Sequence, residues 1–158
     1  IKEWFSQKTR NDGKTLEQFC DAFASGNSVV IEDLFNDYLW NTISIRDTAT
    51  PEERKESFYH GLLLGLLGYK DEWIVKSNAE SGIGYSDILI EICENRIGIV
   101  IEMKYAANGK LENACKEALS QIEKRKYESR LKEDGMKNIL KYGIACYKKE
   151  CKVAKGDA

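Results

Sequence analysis

The stretch "YSDILIEICENRIGIVIEMKY", Tyr85 to Tyr105, decides the fold. It holds two runs dense in isoleucine, Tyr85 to Ile92 and Ile97 to Tyr105, around the turn-like Cys93-Glu94-Asn95-Arg96. Such runs read as strands, and their spacing predicts an antiparallel hairpin. The second run is apolar on both faces until Glu102, so it belongs at the centre of a sheet covered on both sides. Side chains alternate along a strand, so Glu102 and Lys104 share a face. With Glu94-Asn95 at the tip of the turn, residues whose numbers add to 189 pair, and Asp87 stands opposite Glu102.

Working outward, Glu72 to Asn78 reads as a strand, followed by a loop with Gly82 and Gly84. Before it lies a strong helix start, in which Thr50 caps, Pro51 fills the first turn and Glu53 completes a capping box. This helix is expected to run to Leu67 and stop at Gly68. It is greasy on more than one side (Phe58, Leu62, Leu63, Leu66, Leu67), as in a helix buried between layers. Its spacing places Glu56, Tyr59, His60 and Leu63 on one face.

After the hairpin, one long helix is expected from Leu111 to about Glu133, closing at Gly135. Strands at Tyr142 to Tyr147 and Cys151 to Ala154 follow. The order of helix, three strands, helix, two strands predicts an α/β fold with a mixed central sheet flanked by helices. Residues 1–49 form a helical extension or linker, with one helix around Leu16 to Ala24 and another from about Val29 to Ile43. The main domain spans residues 50–158.

The chain has 158 residues, 42% hydrophobic and 32% charged, which is a globular balance. The formal charge of −2 excludes a polybasic nucleic-acid binder held by bulk charge, though not a local basic face. The longest apolar run, Gly61 to Gly68, is too short to span a membrane, so no membrane partner is expected. Five cysteines without a CxxC pair and a single histidine argue against zinc ligation. Buried free thiols in a reducing cytoplasm are the expectation.

The chemistry lies where acids interrupt the apolar strands. Cross-strand neighbours have Cβ atoms about 5 Å apart, so Asp87 and Glu102 would repel one another there. A divalent cation bound to both resolves this. Hard oxygen ligands in an otherwise open shell suit Mg2+, with Mn2+ as a substitute. Lys104 beside the pair can hold an attacking water or offset charge on a phosphorane-like transition state. The arrangement suits metal-assisted phosphodiester hydrolysis, while an ordinary surface ion cluster is the plain alternative.

Asp87, the hairpin and Glu102-Met103-Lys104 resemble the D…(D/E)xK signature of the PD-(D/E)xK nuclease superfamily, whose restriction-endonuclease-like core has the same element order. Further resemblance lies in "ESFYHGLLLGLL" (Glu56 to Leu67), "SNAESGIGYSDILI" (Ser77 to Ile90), "EALSQIEKRKY" (Glu117 to Tyr127) and "YGIACYKKECKV" (Tyr142 to Val153). Together they are similar to a bacterial and archaeal branch in which this domain follows an AAA-ATPase-like domain. The resemblance covers about residues 50 to 154. It implies such an ATPase-like partner in cis, with residues 1 to 50 joining the two, in keeping with a start at Ile1.

The resemblance further implies Asp87 and Glu102 as metal ligands, the Met103 backbone carbonyl as a third oxygen, and Lys104 as the catalytic lysine. Glu56 matches an acid that binds metal through water, and Gln121 matches a glutamine near the site. Glu80 and His60 match the pattern without an assigned step. The branch often has arginine where Tyr85 stands, beside the substrate, and phenylalanine where Met103 stands. Arg125 and Lys126, in a basic run on the long helix, are the remaining candidates for substrate binding.

The implied function is Mg2+-dependent hydrolysis of nucleic acid, DNA in preference to RNA. A catalytically inactive nuclease-fold module that binds nucleic acid or protein is the alternative. A homodimer assembled through residues 1 to 50 is a third reading.

Overall fold

Alternation of apolar residues sorts the sheet into two faces, and each collects its own helices. The computed structural model describes residues 2–44, 51, 54–77 and 87–157, with only the backbone for residues 2–13. The elements are α1 (Lys2–Ser25), α2 (Ser28–Thr42), α3 (Lys55–Leu67), β1 (Ile74–Ser77), β2 (Asp87–Ile92), β3 (Ile97–Tyr105), α4 (Leu111–Arg125), α5 (Tyr127–Glu133), β4 (Asn138–Tyr147) and β5 (Glu150–Lys155). The five strands lie in the order β1-β2-β3-β4-β5. Only β3 and β4 run parallel, joined through α4 and α5, so the sheet is mixed and β3 is central, as its two apolar faces predict.

One face carries Ile88, Ile90, Ile99, Ile101, Met103, Tyr142, Ile144 and Cys146. They join Phe19, Phe23, Ile31, Phe35 and Leu39 of α1 and α2 and Tyr59, Leu63 and Leu67 of α3 in one core. The N-terminal helices are therefore built into the body of the fold. The Tyr142 hydroxyl donates to the Phe23 carbonyl at 2.7 Å. On α2, Asn36 bonds both the N–H and the carbonyl of Cys151, and the Glu32 carboxylate accepts from the Val153 N–H, so side chains satisfy the outer edge of β5. The opposite face carries Leu89 and Val100 under Ile122 of α4, Leu131 of α5 and Met136.

Element ends depart from the sequence reading where tertiary contacts decide them. α1 stops where expected, with Gly26 in the left-handed region at φ +75°. α3 begins at Lys55, later than Thr50-Pro51 suggests; the Arg54 N–H bonds the Pro51 carbonyl first, and Thr50 and Glu53 lie outside the described residues. The single helix expected from Leu111 to Glu133 is two, α4 and α5, broken at Lys126 with φ 53° and ψ 34°. β4 starts four residues earlier than expected, at Asn138, because its first residues pair alongside Ile97–Val100. Cys20, Cys115, Cys146 and Cys151 are buried free thiols, whereas Cys93 in the hairpin turn is exposed. None of the described helices is long and apolar enough to cross a membrane.

Candidate active site

The hairpin has the predicted register. Ile92 pairs with Ile97 across the turn, and Asp87 pairs with Glu102 at the open end. Period-two alternation sends both side chains to the α4 face, and neither is exposed at all. The helix covering them lies unusually close to the sheet. Gly143, the partner of Glu102 on β4, makes this approach possible: a Cβ there would stand 2.6 Å from the Cys115 carbonyl oxygen and 3.1 Å from Ala118 Cβ.

Two buried carboxylates side by side need compensating charge, and the protein supplies part of it. Arg125 Nη1 lies 2.5 Å from Asp87 Oδ2 and 3.7 Å from Glu102 Oε2. The Tyr127 hydroxyl donates to the same Asp87 Oδ2. Lys104, on the Glu102 side of β3, holds its Nζ 3.9 Å from Glu102 Oε1. Burial works against the Arg125 charge, but the Asp87 carboxylate and its hydrogen bond outweigh it, and the guanidinium pKa lies above its ordinary value.

Compensation is incomplete. Asp87 Oδ1, both Glu102 carboxylate oxygens and Gln121 Oε1 are buried without a hydrogen-bond partner among the described residues. Buried acceptors left this way are costly unless something binds them. Gln121 is one turn before Arg125 on α4, so the two share a face. No group of three histidine, cysteine, aspartate or glutamate side chains suited to a metal occurs among the described residues. The donor set the strands bring together is thus two carboxylates. A few hard carboxylate oxygens suit Mg2+ or Mn2+, and no thiolate or imidazole of the kind zinc prefers stands beside them among the described residues.

The other candidates fall as follows. Met103 turns its side chain into the opposite core, 3.6 Å from Cys146 Sγ, so only its backbone faces the question of ligation. Glu56, at the start of α3, accepts the Tyr105 N–H at Oε1 over 3.3 Å, just beyond Lys104. His60, one turn on, is buried with Nε2 2.7 Å from Ser77 Oγ and with Nδ1 unpartnered among the described residues. Glu56 and His60 therefore sit at the same end of the sheet as the carboxylate pair, the end formed by the C-termini of β1 and β3 and the N-terminus of β2. Lys126 is exposed at the helix break. Tyr85 and Glu80 lie outside the described residues.

A cavity of about 190 Å³ opens just past Lys104, lined by Tyr105, Asn108, Lys110, Asn113 and Glu117. Sequence reasoning gave Tyr127 no role. Its only signal was its place at the end of "EALSQIEKRKY", and the helix break that turns it toward Asp87 has no glycine or proline to mark it.

A family model described as the PD-(D/E)XK nuclease superfamily matches residues 54–156, about two thirds of the chain. Neither a curated protein nor a solved structure matched.

Proposed function

The chain belongs to the PD-(D/E)XK nuclease superfamily, and on that premise we propose that it hydrolyses phosphodiester bonds of nucleic acid, DNA in preference to RNA, with Mg2+ held by Asp87 and Glu102. The observation that carries this reading is the buried Asp87–Glu102 pair, three of whose carboxylate oxygens have no hydrogen-bond partner among the described residues. A cation bound there supplies a water of lowered pKa and draws charge from the scissile phosphate. The chain's own groups do the rest. Asp87 and Glu102 present oxygens from two hydrogen-bonded strands, which keeps them in fixed register. Lys104, whose ammonium lies beside Glu102, orients the attacking water and offsets charge that develops on the phosphate oxygens. Gln121, on the face of α4 that also carries Arg125, holds a buried amide oxygen. Glu56 ties the first turn of α3 to the end of β3 and so steadies the strand that carries Glu102 and Lys104. An AAA-ATPase-like domain in cis, as the sequence resemblance implies, is part of this reading.

Plasmid and single-stranded DNA are the substrates for the test, in Mg2+ and in Mn2+. Cleavage by the wild type is expected, with near-total loss in Asp87→Ala, Glu102→Ala and Lys104→Ala. A wild type inert on several DNA and RNA forms contradicts the reading.

One observation favours a second reading, a nuclease-fold module that binds without cutting. Arg125 already places a protein cation against both carboxylates. A protein that binds no Mn2+ at millimolar concentration would decide for this module.

A further inference from the structure

Arg125 and Tyr127 meet on one atom, Asp87 Oδ2. Residues two apart on a continuous helix point about 200° apart and cannot converge. They converge here because Lys126, between them, takes left-handed backbone angles and ends α4 where α5 begins. A non-glycine residue in that region costs about 1–2 kcal/mol, and such strain persists where surrounding contacts over-determine it. The contacts are visible. The Tyr127 ring packs against the cluster of Leu89, Val100 and Ile122, and Arg125 reaches both carboxylates. Both donors occupy the same oxygen, and Asp87 Oδ1 has no hydrogen-bond partner among the described residues.

We infer that Arg125 and Tyr127 are the positioning residues of the metal site, fixing Asp87 through Oδ2 so that Oδ1 faces the cation it shares with Glu102. The inference rests on the proposed metal site and assigns Arg125 to the carboxylates and not to the substrate. The logic is that of any ligand held by its second atom: a hydrogen bond on the far side of a metal-binding group fixes its direction and its charge. Arg125 serves twice, because its reach to Glu102 also holds the pair together when no cation is bound. An arginine that swung out to a phosphate would leave that buried pair without its guanidinium.

The test uses Mn2+ alone as probe, titrated calorimetrically into the full chain. Tyr127→Phe keeps the packed ring, and Arg125→Lys keeps the charge while losing the planar fork. Neither substitution alters net charge, so bulk electrostatics are constant. Thermal melts of the metal-free proteins verify that each variant is folded. Affinity about tenfold or more below that of the wild type is expected in each folded variant. A merely structural role would lower the melting temperature and leave Mn2+ affinity in place. Equal affinity in wild type and both variants overturns the inference while leaving the metal site intact. Tighter binding in the variants also overturns it, since the two side chains would then obstruct the cation. No binding by the wild type removes the metal site itself, and the inference with it.

Discussion

The Cys115 carbonyl of α4 sits so near Gly143 of β4 that a Cβ on the glycine would approach it to 2.6 Å. That contact sets the height of α4 above the sheet, and with it the reach of Arg125 to the carboxylates. Gly143→Ala forces the helix outward. Overpacking of this kind costs about 1–3 kcal/mol, which urea unfolding would register as a lower midpoint. The same variant is expected to lose Mn2+ affinity, because Arg125 rises with its helix. Unchanged stability and affinity would contradict the account of how α4 is seated.

Lys126 provides the opposite case. Glycine in an ordinary helix interior costs up to about 1 kcal/mol, but at Lys126 the backbone already has φ 53°. Lys126→Gly removes the left-handed penalty and adds unfolded-state entropy, a net change between zero and about 1 kcal/mol in favour of folding. Chemical denaturation of the variant measures it. A clear loss of stability would mean that the Lys126 side chain, exposed at the break, has a structural role of its own.

A third prediction concerns pH. Lys141 reaches from β4 to Glu123 on α4 at 2.7 Å and to Glu128 on α5 at 2.8 Å, stitching both helices to the sheet on either side of the break. Hydrogen bonds from Lys132 and Lys141 lower the Glu128 pKa from 4.5 to about 2. A depressed carboxyl pKa means that its stabilisation is complete above about pH 4.5 and is lost as pH falls toward 2. Folding free energy of the wild type is therefore expected to fall across that window, with part of the slope absent in Glu128→Gln. Parallel slopes in the two proteins would contradict this assignment.

Much of the fold was legible because burial enforces periodicity. Ile88, Ile90, Ile99 and Ile101 must face one core, which fixes the face of every strand residue, and the short turn around Glu94-Asn95 then sets Asp87 against Glu102. The central place of β3 followed from its two apolar faces. The helix break was not legible, since "KRKYES" is good helical sequence and the break goes with tertiary contacts, among them those of Arg125 and Tyr127 with Asp87. For the same reason Arg125 read as a substrate-binding candidate in a basic run, with no sign in the sequence that its guanidinium lies against the carboxylates. The late start of α3 escaped a local reading because capping signals report where a helix can begin, while the Arg54–Pro51 turn sets where the regular helix does begin. The packing of α1 and α2 on the sheet depends on long-range contacts such as Tyr142 with Phe23 and Asn36 with Cys151, which no local pattern encodes.

The most direct measurement is anomalous diffraction from crystals of the full chain soaked in Mn2+. The account predicts a single strong peak between Asp87 Oδ1 and the Glu102 carboxylate, within direct ligating distance of both, with Arg125 and Tyr127 still on Asp87 Oδ2. Crystals with Mn2+ bound elsewhere, or with nothing between residues 87 and 102 at millimolar Mn2+, would contradict it.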